Sequence, residues 1–84
     1  MSDDVRDPIH AFVLARFLPG EAASTLADDT PLITTGIVNS LLLLEIATFL
    51  EAQFGIELTP EDLDAERFAS VASMAALVRA RRGP

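Results

Sequence analysis

The 84-residue chain lacks Cys, Trp, Tyr and Lys, and it contains a single His. Without cysteine there can be no disulfide framework, no thiolate metal site and no cysteine nucleophile. One histidine cannot form a multi-histidine metal site within one chain. The GxSxG, P-loop and HExxH motifs are also missing. The sequence therefore predicts no metal site and no catalytic residue.

The charge is unbalanced, because thirteen acidic residues face six arginines and the net charge is −7. Such a chain repels polyphosphates and anionic lipids, so we predict no nucleic-acid partner and no membrane partner. The most apolar stretch, residues 41–50, is too short to span a bilayer and contains Glu45. The acidic start is unlike a secretory signal. We therefore expect a cytoplasmic, monomeric protein, and Met1 with its acidic start favours a discrete one.

Apolar residues recur at helical spacing, while Asn39, Thr59 and Ser70 each suit a helix N-cap. The sequence predicts one all-α domain over residues 1–84, a four-helix bundle with a long first loop and a short third helix. The expected helices cover about 4–18, 39–54, 60–68 and 70–82. The loop is expected to contain a short helical turn near 21–26 and to be anchored by Leu26, Leu32, Ile33, Ile37 and Val38. We interpret the acidic cluster over 57–66 as a solvated face.

The predicted second helix is apolar on more than one face. Its expected core stripe consists of Leu43, Ile46, Ala47, Leu50 and Phe54. Leu41, Leu42 and Leu44 lie mostly off this stripe. Two interpretations stay open for Leu42, which either covers the core or belongs to an exposed docking patch.

One stretch of the chain carries a motif. It reads Gly36-Ile37-Val38-Asn39-Ser40-Leu41, followed by Glu45-Ile46, Leu50-Glu51 and Phe54-Gly55-Ile56. This pattern resembles the acyl and peptidyl carrier protein family, in which a glycine and two aliphatics precede Asp-Ser-Leu at the start of helix two. The resemblance covers roughly residues 5–80.

The resemblance implies a carrier protein that is a substrate of other enzymes and not an enzyme itself. Ser40 would carry 4′-phosphopantetheine, installed by a phosphopantetheinyl transferase from coenzyme A. The terminal thiol would hold an acyl or aminoacyl group as a thioester. An adenylation enzyme or acyltransferase would load it, and a downstream synthase or transferase would receive the group. We expect a discrete carrier of a polyketide, non-ribosomal peptide or related specialised pathway.

Residues around Ser40 bear on this expectation. Ser40 follows the cap Asn39, where free N–H groups and the helix dipole favour a phosphodiester anion. Asn39 stands where the family usually has Asp. The asparagine keeps the helix cap but removes a negative charge. The family presents the corresponding helix face to its enzymes, so the resemblance implies partner contacts at Leu41, Leu44, Glu45, Thr48 and Glu51.

A second interpretation belongs to a different class of protein. The chain could be a non-catalytic helical interaction module that binds a partner through the leucine-rich face of helix two. This interpretation accounts for the extra leucines and for the acidity. It does not account for the motif over residues 36–41.

Overall fold

The computed structural model describes residues 4–34, 36 and 39–82, apart from the side chains of Ala23 and Ser40. Over these residues the chain forms three α-helices, α1 (Arg6–Phe17), α2 (Ser40–Phe54) and α3 (Val71–Arg82). Two 3₁₀ turns, Ala23–Thr25 and Pro60–Asp62, lie between them. No strand occurs in the described part of the chain. The all-α fold class is confirmed, as is the short helical turn expected near 21–26.

The predicted third helix over 60–68 is shorter than expected. The structure has a 3₁₀ turn at Pro60–Asp62, closed by Leu63 N–H donating to Pro60 O at 3.2 Å. Leu63 then adopts φ −87° and ψ 64°, outside the helical region, so the turn does not extend. Residues 64–68 form further turns. The described residues thus contain three α-helices, with a 3₁₀ turn at the place of the predicted third helix, and the count of four α-helices is not confirmed.

The core is formed by one apolar stripe from each of the three helices. On α1 the stripe buries Ile9 and Val13, and on α3 it buries Val71, Met74, Ala75 and Val78. Helix α2 contributes Leu43, Ile46, Ala47 and Leu50. Phe12 of α1 stacks on Phe49 of α2 with ring centroids 4.0 Å apart, which joins these two helices.

The long loop between α1 and α2 is attached to the helices by hydrogen bonds. Leu26 and Leu32 are buried, as expected of anchors, and Ile33 packs partly buried against the core. Leu32 N–H donates to Ala69 O, and Ala72 N–H donates to Asp28 O, each at 2.8 Å. Ile37 and Val38 lie outside the described residues.

Helix ends follow the sequence signals. Gly55 ends α2 in the left-handed region at φ 65°, and its N–H donates to Glu51 O at 2.9 Å. Ser70 precedes α3, and its Oγ accepts from Ser73 N–H at 3.1 Å. Gly55 is thus the C-cap of α2, and the predicted N-cap of α3 at Ser70 is confirmed. Helix α2 therefore starts and stops at defined residues, which fixes the position of Ser40.

Candidate functional site: the start and outer face of the second helix

Asn39 caps the N-terminus of α2. Its backbone is extended, and its Oδ1 accepts from Leu41 N–H at 3.0 Å and from Leu42 N–H at 3.1 Å. Its carbonyl accepts the first helical bond, from Leu43 N–H at 2.9 Å. Asn39 is itself exposed, so this helix end faces solvent. Ser40 is therefore the first residue of a capped and accessible helix.

These bonds change one expectation about the helix end. Free N–H groups were expected to stabilise an anion beside Ser40, but Asn39 already satisfies the N–H groups of Leu41 and Leu42. These two N–H groups are thus not available to an anion, whereas the field of the helix dipole still favours negative charge within the first turn. The dipole contribution is modest, about 0.3–1 kcal/mol.

An apolar groove adjoins the start of α2. It has a volume of about 350 Å³ and is lined by Ile33, Asn39, Leu43, Leu44, Leu63 and Ala65. A second groove of about 220 Å³ shares Ile33 and Ala65 with it. Volumes of a few hundred Å³ suit small organic groups. The loop and the segment after the 3₁₀ turn thus build an apolar surface next to the helix end that holds Ser40.

The leucines of α2 divide into two groups. Leu41 is 79 % exposed and Leu44 is 54 % exposed. Leu42 is partly buried and packs against the core, which decides between its two interpretations in favour of core cover. The exposed apolar patch therefore consists of Leu41 and Leu44, and we call it the leucine patch.

The two acids predicted for partner contact are already engaged within the chain. Glu45 contacts Arg16 of α1, with Nε 2.7 Å from Oε2 and with Nη2 donating to Oε1 at 3.0 Å. Glu51 Oε2 accepts from Leu58 N–H at 3.0 Å. Thr48 is exposed, and its hydroxyl donates to Leu44 O at 3.0 Å. The structure therefore places all five predicted contact residues on α2, but the leucine patch is its least engaged part.

Sequence reasoning missed an ion pair between the buried carboxylate of Asp62 and Arg81. Asp62 was assigned to a solvated acidic face, yet it is only 1 % exposed. It accepts from Arg81 Nε at 2.9 Å, from Arg81 Nη2 and from Thr59 N–H at 3.0 Å. Hydrogen bonding from Arg81, followed by that from the Thr59 backbone, holds the pKa of Asp62 well below its ordinary 3.8. The acidic spacing around Thr59-Pro60 hinted at a capping box but not at Arg81.

His10 has a structural role. Its ring is buried, and Nε2 lies 2.7 Å from Leu26 O, so it ties α1 to the long loop. No group of three or more His, Asp or Glu side chains suited to a metal ion occurs in the described ranges 4–34, 36 and 39–82. Within the same part of the chain, no helix is long and apolar enough to cross a membrane.

Comparison with known proteins identifies the class. The family model of the phosphopantetheine attachment site matches residues 13–78, which is most of the chain. The chain therefore belongs to this family of carrier domains. Its members carry 4′-phosphopantetheine covalently on a serine, and they serve as substrates for modifying and biosynthetic enzymes.

A solved structure agrees with this assignment. The apo structure of KstB-PCP, a peptidyl carrier protein, is similar to this chain with a TM-score of 0.63 and 30 % sequence identity. The match covers 90 % of this chain and 86 % of that one. A comparison with curated proteins found no match. The chain is thus a carrier domain and not a catalyst.

The start of α2 fits the family's prosthetic group. The helix opens on a serine, its positive end is solvent-facing beside Asn39, and an apolar groove adjoins it. A phosphodiester suits the positive end of a helix, and an apolar chain suits the groove.

Proposed function

We propose that Ser40 is the attachment serine and that the chain delivers thioester-bound acyl or aminoacyl groups in a specialised biosynthetic pathway. The observation that carries this proposal is the position of Ser40, the first residue of a helix capped by Asn39 within the family match. When bound, the phosphopantetheine supplies the terminal thiol that holds the group. We also propose that an adenylation enzyme or acyltransferase loads it and that a synthase or transferase receives the group.

The other serines support this choice. Ser2 lies outside the matched residues 13–78. Ser70 is buried, and its Oγ bonds both Ser73 N–H and Ser73 Oγ. Modification of Ser70 would break the cap of α3, and modification of Ser73 would disturb the bond that its Oγ accepts from Ser70 Oγ. Ser24 is exposed in a 3₁₀ turn that has no continuing helix behind it. A turn of three residues lacks the dipole of a full helix, so Ser40 offers the more favourable place for a phosphodiester.

The residues around Ser40 would act by holding the site in place. Asn39 fixes where the helix begins, and the helix dipole favours the phosphodiester anion. The groove lined by Leu43 and Leu63 offers apolar contact to a tethered group. No described side chain is needed as a base, because the transferase performs the chemistry.

The direct test is mass spectrometry after incubation with coenzyme A, magnesium and a broad-specificity phosphopantetheinyl transferase. The chain should gain the mass of one phosphopantetheine. Ser40→Ala should abolish the gain, and the matched variant Ser24→Ala should retain it. Absence of modification in the unsubstituted chain, or its persistence in Ser40→Ala, would contradict the proposal.

A second function is favoured by the leucine patch. Two exposed leucines on one helix also suit a module that binds a partner helix. That interpretation requires no modification of Ser40. The same mass measurement separates the two, because an interaction module would gain no mass.

A further inference from the structure

Arg16 belongs to α1 but contacts Glu45 on the face of α2 that carries the leucine patch. It lies in the last turn of α1, and Glu45 lies one turn along α2 from Leu41. Glu45 Oε2 is buried and lies 2.7 Å from Arg16 Nε, an ion-pair contact without a hydrogen bond. The other oxygen, Oε1, accepts from Arg16 Nη2 at 3.0 Å. Both carboxylate oxygens of Glu45 therefore already face a guanidinium of the same chain.

This arrangement changes what a partner meets on α2. The planar guanidinium of Arg16 makes one hydrogen bond and a close ion-pair contact with the carboxylate, so an incoming cation must compete for Glu45. Arg16 also repels that cation, because its side chain is about half exposed (52 %). The charge of the Arg16–Glu45 pair is zero, and the leucine patch beside it is uncharged.

We propose that Arg16 is a specificity-determining residue that occupies Glu45 as an internal cation. Enzymes then dock on this carrier through an apolar socket for Leu41 and Leu44, with no cation bound to Glu45. This inference rests on the proposed carrier function, and it adds the chemistry of the partner surface. The net charge of −7 still attracts partners at long range, but this face supplies little of that attraction.

The proposal predicts a gain on removing Arg16. Arg16→Gln leaves Glu45 without its cation and exposes a carboxylate next to the leucine patch. For a phosphopantetheinyl transferase with an arginine or lysine on its carrier-binding surface, kcat/KM at low salt should rise about three- to tenfold. The gain should disappear in the double variant Arg16→Gln/Glu45→Gln. It should also shrink as NaCl rises from about 0.02 M to about 0.3 M, because salt screens exposed charges.

A matched control separates this effect from net charge. Arg82→Gln removes the same charge and an exposed ion pair, since Arg82 Nη2 lies 3.5 Å from Asp4 Oδ2. It should change kcat/KM by less than about twofold, the size expected of a rim charge far from contact. Exposed pairs contribute little to stability, so Arg16→Gln should keep its helical circular dichroism. Arg16→Lys keeps the charge but loses the planar guanidinium, so we expect an intermediate gain in kcat/KM. This variant tests the proposal if Arg16→Gln folds poorly.

The outcomes distinguish this inference from the proposed function. A Glu45-dependent, salt-sensitive gain in Arg16→Gln supports the inference. An equal gain in the double variant or in Arg82→Gln, or a loss of rate in both Arg16→Gln and Arg16→Lys, overturns it while modification at Ser40 stands. If the unsubstituted chain gains no phosphopantetheine mass at all, the carrier proposal fails first.

Discussion

Asp62 and Glu45 are two carboxylates that both contact an arginine of another helix, in very different surroundings. Asp62 is 1 % exposed beneath Arg81 and also accepts from Thr59 N–H. The Glu45 side chain is 39 % exposed beside Arg16, on the face that carries the leucine patch. Loss of Arg81 would leave the buried Asp62 carboxylate without its cation, whereas an exposed charge that loses its partner is rehydrated. The first pair therefore holds the fold together, and the second adjusts its surface.

The largest expected effect is at Asp62. Asp62→Asn keeps the volume but removes the charge that Arg81 and Thr59 N–H bind. We expect the Tm to fall by several degrees, measured by circular dichroism. Glu45→Gln, the matched exposed substitution, should change stability by no more than about 0.2–1 kcal/mol.

A double variant controls this prediction. Asp62→Asn/Arg81→Gln should lose less than the two single losses added together, because both single changes break the same contact and only Arg81→Gln leaves a buried charge, that of Asp62, without its partner. Equal Tm values for Asp62→Asn and Glu45→Gln would erase the contrast between the two pairs.

The second effect is a dependence on pH of the stability that Asp62 contributes. The pKa of Asp62 is lowered in the folded protein, so the unfolded chain binds its proton first as pH falls. The stabilisation is complete well above the ordinary pKa of 3.8 and is lost progressively as pH falls below it. The Tm gap between the unsubstituted chain and Asp62→Asn should therefore narrow between about pH 6 and about pH 3. A gap that is constant over this range would show that Asp62 does not titrate as expected.

The contrast between these pairs also marks what the sequence could predict. Local patterns were sufficient for the apolar stripes, for the caps at Asn39 and Ser70, and for the place of Ser40 at a helix start, since all of these depend on near neighbours. Asp62 and Arg81 lie 19 residues apart, and Arg16 and Glu45 lie 29 apart. No periodicity relates such positions, so the sequence pattern predicts a solvated Asp62 and a Glu45 carboxylate that is available to partners.

A third effect, smaller than that at Asp62, concerns the start of α2. Asn39→Ala removes the acceptor for Leu41 N–H and Leu42 N–H, and it should cost about 0.5–2 kcal/mol in urea unfolding. Ser70→Ala at the start of α3 is the matched change, since Ser70 Oγ caps a buried helix end. We expect Ser70→Ala to lower the free energy of unfolding at least as much as Asn39→Ala. A larger loss for Asn39→Ala would contradict this expectation.

The smallest effect on stability, and the most informative one on function, is expected for Asn39→Asp. A carboxylate can accept the same two N–H groups, so the fold should stay intact and gain about 0.3–1 kcal/mol from the helix dipole. This new charge would stand at the helix start, and the internal cation Arg16 is already held by Glu45. A partner cation could then bind it directly, so rates should rise with transferases that present a cation and stay unchanged with those that present an apolar socket.

The measurement is kcat/KM for two such transferases at low salt, with Asn39→Ala as the uncharged control. If the ratio of kcat/KM between the two transferases is the same for Asn, Asp and Ala at position 39, then partners do not recognise the residue at this position.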